Sequence, residues 1–236
     1  MKLINLVFFL FMVVMNYLAN AIPINGKTTG ALSAQYPNLF VPAGITFSIW
    51  GIIYLLLAVF IILQFKEQNK QMVAAIGWAF AISSLLNGLW ILAWHYEKLP
   101  LSLLIMAGLL IALIYINIQL RDYPLGLTRA AFGIYLGWIC IATIANATAL
   151  LVAWKWGGFG LPDATWAIIM IAAGLTITVL TLYRSENPFL GLAVIWAFAG
   201  IVINRQADFP AIAAAAFTAA VFMLFVTIHL FYKKLT

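Results

Sequence analysis

The chain has 236 residues, 66% of them hydrophobic and only 8% charged, with a mean hydropathy of +1.10. A soluble domain of that balance would carry one continuous apolar surface, so the composition excludes one and predicts an all-α, polytopic membrane helix bundle. The net charge of +6 does not point to nucleic acid, because the basic residues stand singly or in pairs at segment ends rather than along one face. Their expected partners are membrane lipid headgroups.

Eight apolar segments are predicted, at about 3–22, 42–65, 71–95, 99–120, 129–153, 163–183, 188–204 and 210–232. The first follows Lys2 and ends near Ala19-Asn20-Ala21, a pattern shared by a retained membrane helix and a signal peptide; its long apolar run favours the retained helix. Residues 23–41, rich in Gly, Thr, Ser and Pro, form the one long connection and are the expected lid. The lid runs through Pro37 to Pro42, where the second segment begins; proline suits a helix start because the missing N–H would be an orphan there anyway. Phe47, Trp50 and Tyr54 follow at spacings of three and four and share one helix face. That aromatic stripe either packs on neighbouring helices or faces a ligand.

On the third segment Asn87, Trp90 and Trp94 fall at i, i+3 and i+7, again one face. The fifth carries Trp138 and then Ala142-Thr143-Ile144-Ala145-Asn146, with small residues leaving room beside an amide. At a helical rise of 1.5 Å per residue, Trp50, Asn87 and Asn146 each lie roughly 12–14 Å below the outer surface. An indole and two amides from three helices thus share one layer beneath the loop. They either bond one another across helices or line a pocket. Gly133 and Gly137 form a GxxxG, and the last segment holds Ala211, Ala213 to Ala216, Ala219 and Ala220. These small faces read first as packing surfaces within the bundle, with a homodimer as their other use. Cys140, the single cysteine, lies in an apolar run and reads as a packing residue.

All six acidic and all twelve basic residues fall in connections or at segment ends. Without an intramembrane charge the chain has neither the helix lysine of a retinal protein nor a buried proton relay. His95 and His229 lie near the ends of different segments with no Cys or carboxylate at ligand spacing, so no metal site is expected. No nucleophile–base pair stands out, and no catalysis is expected. Lys2, Lys66, Lys70, Arg121, Arg129, Arg184, Lys233 and Lys234 would share one side, against Lys27, Lys98, Lys155 and Arg205 on the other. That bias predicts both termini in the cytoplasm and the lid outside, in the cell membrane.

These residues resemble the TspO/MBR family, also called tryptophan-rich sensory protein or translocator protein. Pro37, Pro42, Trp50 and Tyr54 match its second helix, Leu86-Asn87 and Trp90 its third, and Tyr135-Leu136-Gly137-Trp138 with Ala142-Thr143 and Asn146 its fifth. The resemblance covers about residues 1–156 and implies a five-helix core, with 157–236 as a three-helix extension. It also implies a pocket for porphyrins and other tetrapyrroles, sterols or aromatic drug-like molecules, capped by the loop between the first two helices. No cofactor is obligatory; a bound tetrapyrrole or lipid is the expected occupant. The ligand set carried over is Phe47, Trp50, Tyr54, Asn87, Trp90, Trp138, Ala142 and Asn146, with Pro37 and Pro42 at the entrance. Lys27 or Lys98 on the outer rim would pair with a ligand carboxylate. Leu39 and Gly44 stand where the family usually has tryptophans, and Ala147 stands where its sterol motif needs tyrosine. The implied role is sensor or carrier of a flat apolar ligand. The alternatives are a transporter of a small uncharged or amphipathic substrate and an assembly subunit.

Overall fold

The computed structural model describes residues 1–235, and they form ten α-helices joined by short turns. In chain order these are α1 (Lys2–Ala21), α2 (Thr29–Ala34), α3 (Ile49–Leu63), α4 (Lys70–Ile76) and α5 (Ala79–His95). They continue as α6 (Leu99–Gln119), α7 (Leu127–Ala153), α8 (Asp163–Ser185), α9 (Phe189–Arg205) and α10 (Pro210–Leu235). Six are long and apolar enough to cross a membrane, with α3 counted together with the 3-10 turn Gly44–Ser48 that leads into it. The bent pair α4–α5 makes a seventh if taken as one span. The 17 residues of α9 rise only about 26 Å, a little less than a bilayer core.

The third predicted segment is not one straight helix. Gly77 takes φ 57° and ψ −138°, a conformation essentially closed to residues with a Cβ, and the two halves meet at 60°. The apolar run continues through the break, so hydropathy alone does not reveal it.

Hydrogen bonds sort the connections into two ends. At one, the Asn5 amide donates to Gln64 Oε1 (3.0 Å) and Gln64 Nε2 donates to the Lys2 carbonyl (3.1 Å). There too the Arg129 guanidinium donates to the carbonyls of Arg121, Tyr123 and Glu186, and Lys234 pairs with the Glu186 carboxylate. At the other end lie residues 23–41, the α5–α6 turn, the start of α8 and the end of α9. The chain therefore passes between the two ends eight times, counting α4–α5 as one pass. This is the grouping of connections expected from the positive residues.

At the centre α7 packs against α3, α6, α8 and α9. A Cβ on Gly137 would sit 2.3 Å from the Leu190 carbonyl oxygen, and one on Gly133 would sit 2.7 Å from the Asn187 amide. The GxxxG thus admits α9 against α7 within one chain. Ala213, Ala216 and Ala219 are buried on α10, which packs along α9. Arg129 and Arg205 depart from the expected headgroup role: both donate to backbone carbonyls, and Arg129 is only 2% exposed.

Candidate ligand chamber beneath the lid

The expected lid is partly helical. Thr28 caps α2 by accepting from the Ala31 N–H (3.2 Å), and Ile24–Gly26 makes a single 3-10 turn before it. The lid is latched to the α5–α6 turn through His95, which is fully buried. Its Nδ1 lies 3.0 Å from the Ile24 carbonyl and its Nε2 3.0 Å from Thr29 Oγ1. A carbonyl can only accept, so Nδ1 carries a proton. Asn25 returns a bond to the His95 carbonyl (3.0 Å).

Glu97, on the same turn, accepts from Tyr36 Oη (2.9 Å) and from Lys27 Nζ (3.2 Å). These donors, Tyr36 first and Lys27 second, hold the Glu97 carboxyl below the usual carboxylate range. Burial, and secondarily the bond to Glu97, pushes the Tyr36 phenol up to about 12. Lys27 is therefore committed to Glu97 and to Gln35 (3.1 Å) rather than free at the rim for a ligand. Lys98 is exposed.

The entrance segment is held from the other side by α9. Arg205 donates to the carbonyls of Leu39 (3.0 Å) and Asn38 (2.8 Å), and Asn204 to that of Val41 (2.9 Å). The Ala43 N–H donates to the Gly200 carbonyl (2.9 Å) and Trp196 Nε1 to the Thr46 carbonyl (2.9 Å). A Cβ on Gly200 would lie 2.0 Å from Thr46 Oγ1 and 2.9 Å from Pro42 Cβ, so the approach requires glycine.

Beneath this segment lies a chamber of about 880 Å³, walled by Asn16 and Asn20 of α1, Thr29 and Ser33 of α2, and Trp50 and Tyr54 of α3. An inner recess of about 70 Å³ shares Thr29, Ser33, Pro42, Phe47, Trp50 and Trp90 with it and runs on to Trp94, Trp138, Ala142 and Asn146. Among the described residues no charged one lines either space. Trp50 stacks on Tyr54 (5.4 Å between centroids) and meets Tyr135 and Trp138 edge-on at 5.8 and 6.3 Å. Phe47 abuts Trp138 at 5.7 Å, and Trp90 stacks on Trp94 at 5.6 Å. Tyr54 Oη and Trp138 Nε1 are buried with no hydrogen-bond partner among the described residues.

Eight of the ten residues singled out from sequence wall the chamber or its recess: Phe47, Trp50, Tyr54, Trp90, Trp138, Ala142, Asn146 and Pro42. Asn87 does not reach the wall. Its Nδ2 donates to Tyr135 Oη (2.8 Å), its Oδ1 accepts from Asn16 Nδ2 (2.7 Å), and it is 1% exposed. It braces the rings from behind. Pro37 faces a separate space of about 100 Å³ beside Trp156 and Trp166. Asn146 combines both readings left open by the sequence: it lines the recess, yet its Oδ1 accepts from Trp90 Nε1 (2.9 Å) and its Nδ2 donates to Ser102 Oγ (3.0 Å).

Sequence reasoning missed Thr29 and Ser33, whose i, i+4 spacing on a capped turn was the available signal, and the latch residues Asn204 and Arg205. No cluster of three or more His, Cys, Asp or Glu that could hold a metal ion occurs among the described residues.

Fold and site define an integral membrane protein with an uncharged, aromatic-walled chamber under a stitched loop. The family model for TSPO-like proteins matches residues 2–229, and the chain belongs to that family. Its members are in general non-enzymatic membrane proteins. The match runs through α8 and α9 and most of α10, so the family resemblance does not stop near residue 156 as the motifs alone suggested. No curated protein and no solved structure matches the chain.

Proposed function

We propose that the chamber takes a flat, largely apolar ligand such as a porphyrin or another tetrapyrrole, and that the protein acts as its sensor or carrier without chemical turnover. The observation that carries this reading is the chamber itself. Its volume of about 880 Å³ is within the rough 300–1,000 Å³ of small-molecule sites, and its walls are rings and uncharged amides. Trp50, Tyr54, Phe47, Trp90 and Trp138 offer ring faces and edges. Carboxylates on such a ligand would have to stay at the water-facing rim, since the walls supply no cation.

In the membrane all eight passes would span, with both termini cytoplasmic and the lid on the outer side of the cell membrane. The shortness of α9 is compatible with a local adjustment of bilayer thickness. A transporter is the second reading, favoured by the eight passes. The break at Gly77 does not strengthen it, because it lies toward the end away from the chamber.

The test is saturable quenching of tryptophan fluorescence by protoporphyrin in detergent-solubilised protein, with Trp50→Ala alongside. Trp50→Ala should weaken binding at least tenfold while keeping the helical circular dichroism of the wild type. Equal affinity in the two proteins would remove the chamber as the site. Ligand flux into sealed vesicles would move the assignment from sensor to transporter.

A further inference from the structure

At the end of the bundle opposite the lid, a cavity of about 430 Å³ lies between the C-terminal end of α3, the Glu67–Asn69 turn with the start of α4, and the start of α7. Its walls include Leu127, Thr128 and Arg129, the first three residues of the 27-residue α7. The preceding Gly126 supplies no side-chain cap, and the first intrahelical bond is from the Ala130 N–H to the Gly126 carbonyl. Three backbone N–H groups at the positive end of the longest helix are therefore left without a partner.

A second feature of the same cavity is independent of the helix end. Thr128 is 6% exposed, lines the space, and its hydroxyl makes no hydrogen bond among the described residues. Beside it Arg129 is held by three carbonyls and, among the described residues, has no carboxylate within ion-pair distance and keeps an unpaired Nε. Among the described residues no carboxylate lines the cavity. The nearby Glu67 and Asp122 are exposed and paired with Lys70 and Arg121.

We propose that this cavity binds an anionic phosphate group at the N-terminus of α7, with the free backbone N–H groups and the Thr128 hydroxyl as its donors. Helix N-termini suit phosphate because the donors point along the axis and the dipole favours negative charge. Arg129 adds positive potential without needing to move. The group is carried either by an anionic lipid or by a soluble phosphate monoester. This site is separate from the chamber and does not depend on what the chamber holds.

The experiment is equilibrium binding of radiolabelled inorganic phosphate and glycerol 3-phosphate to the full chain in neutral detergent at fixed ionic strength. Short-chain phosphatidic acid serves as the lipid probe. Gly126→Asp is the decisive variant. Gly126 is extended, with φ −170°, and a Cβ there meets nothing within 4 Å, so the aspartate fits and can cap the helix itself. It should keep or raise the Tm and lower phosphate-group affinity about tenfold or more, by competition and like-charge repulsion. Thr128→Val, isosteric and breaking no existing bond, should lower affinity several-fold. Saturable binding of the soluble probes assigns a metabolite; saturable binding of phosphatidic acid alone assigns a lipid headgroup. Absence of saturable binding by every probe, or undiminished binding in Gly126→Asp, overturns the proposal.

Discussion

Replacing Gly200 by alanine tests whether α9 holds the chamber entrance in place. The new methyl would begin 2.0 Å from Thr46 Oγ1 and 2.9 Å from Pro42 Cβ, and neither neighbour is the far end of a flexible side chain. Overpacking of this kind costs about 1–3 kcal/mol. Relief comes most directly by parting α9 from the loop, which strains the bonds from Trp196, Asn204 and Ala43 at 2.9 Å each. For a chain of this size the same energy lowers Tm by roughly 2–12 °C. If it is all released by withdrawing the loop, ligand affinity falls by roughly 5- to 150-fold. The assay is protoporphyrin quenching together with a thermal melt. Adding Thr46→Ala removes the nearest atom, a buried hydroxyl without a partner, and should recover part of both losses. Gly200→Ala with the Tm and affinity of the wild type would refute the reasoning, because the contact could then not be as tight as the backbone places it.

Three other outcomes are expected. Asn87→Leu removes the amide that Tyr135 Oη and Asn16 Nδ2 share, and since Asn16 Nδ2 keeps the Met12 carbonyl it should cost about 1–3 kcal/mol of stability, read by thermal melts, with a smaller effect on ligand affinity than Trp50→Ala. Lid attachment should weaken in acid. The Glu97 carboxyl is lowered from 4.5 in the folded protein, so its contribution is complete above that value and is lost as pH falls through the lower folded one. A fluorophore on exposed residue 31 should become more accessible to a quencher only in that acid window, and Glu97→Gln should abolish the step; loosening already complete between about pH 8 and 5, or loosening as pH rises, would refute the assignment to Glu97. Gly137→Leu should abolish the close passage of α9 across α7, where a Cβ already meets the Leu190 carbonyl at 2.3 Å, and lower the yield of folded protein in size-exclusion chromatography.

The aromatic wall could be read from sequence because it is periodic. Phe47, Trp50 and Tyr54 fall on one face whatever surrounds them, and helix rise sets the depth of Asn87 and Asn146 without any tertiary information. The use of those amides could not be read. An asparagine facing a cavity and one facing a neighbouring tyrosine occupy the same helical position, and only coordinates distinguish Asn146 from Asn87. The kink at Gly77 escaped because hydropathy measures burial and not backbone conformation; a glycine within an apolar run permits a break without requiring one. The hold of α9 on the entrance escaped for a different reason. Trp196, Gly200 and Asn204 do lie four apart on one face, yet their partners are backbone groups some 150 residues away, the carbonyls of Thr46 and Val41 and the Ala43 N–H, and a backbone group leaves no trace in composition.

The two attachments of the lid also arise at different times. The Glu97 latch becomes available soon after the first three segments have been made, whereas Leu39 must wait for Arg205, 166 residues further along the chain. From Glu97 to Arg205 is 108 residues, which at ribosomal rates of about 5–20 residues per second takes roughly 5–22 s. Throughout it the nascent protein sits in the bilayer with its hollow half fastened. Until α9 is made the vestibule has only its first fastening, and a chain released before that point never acquires the second.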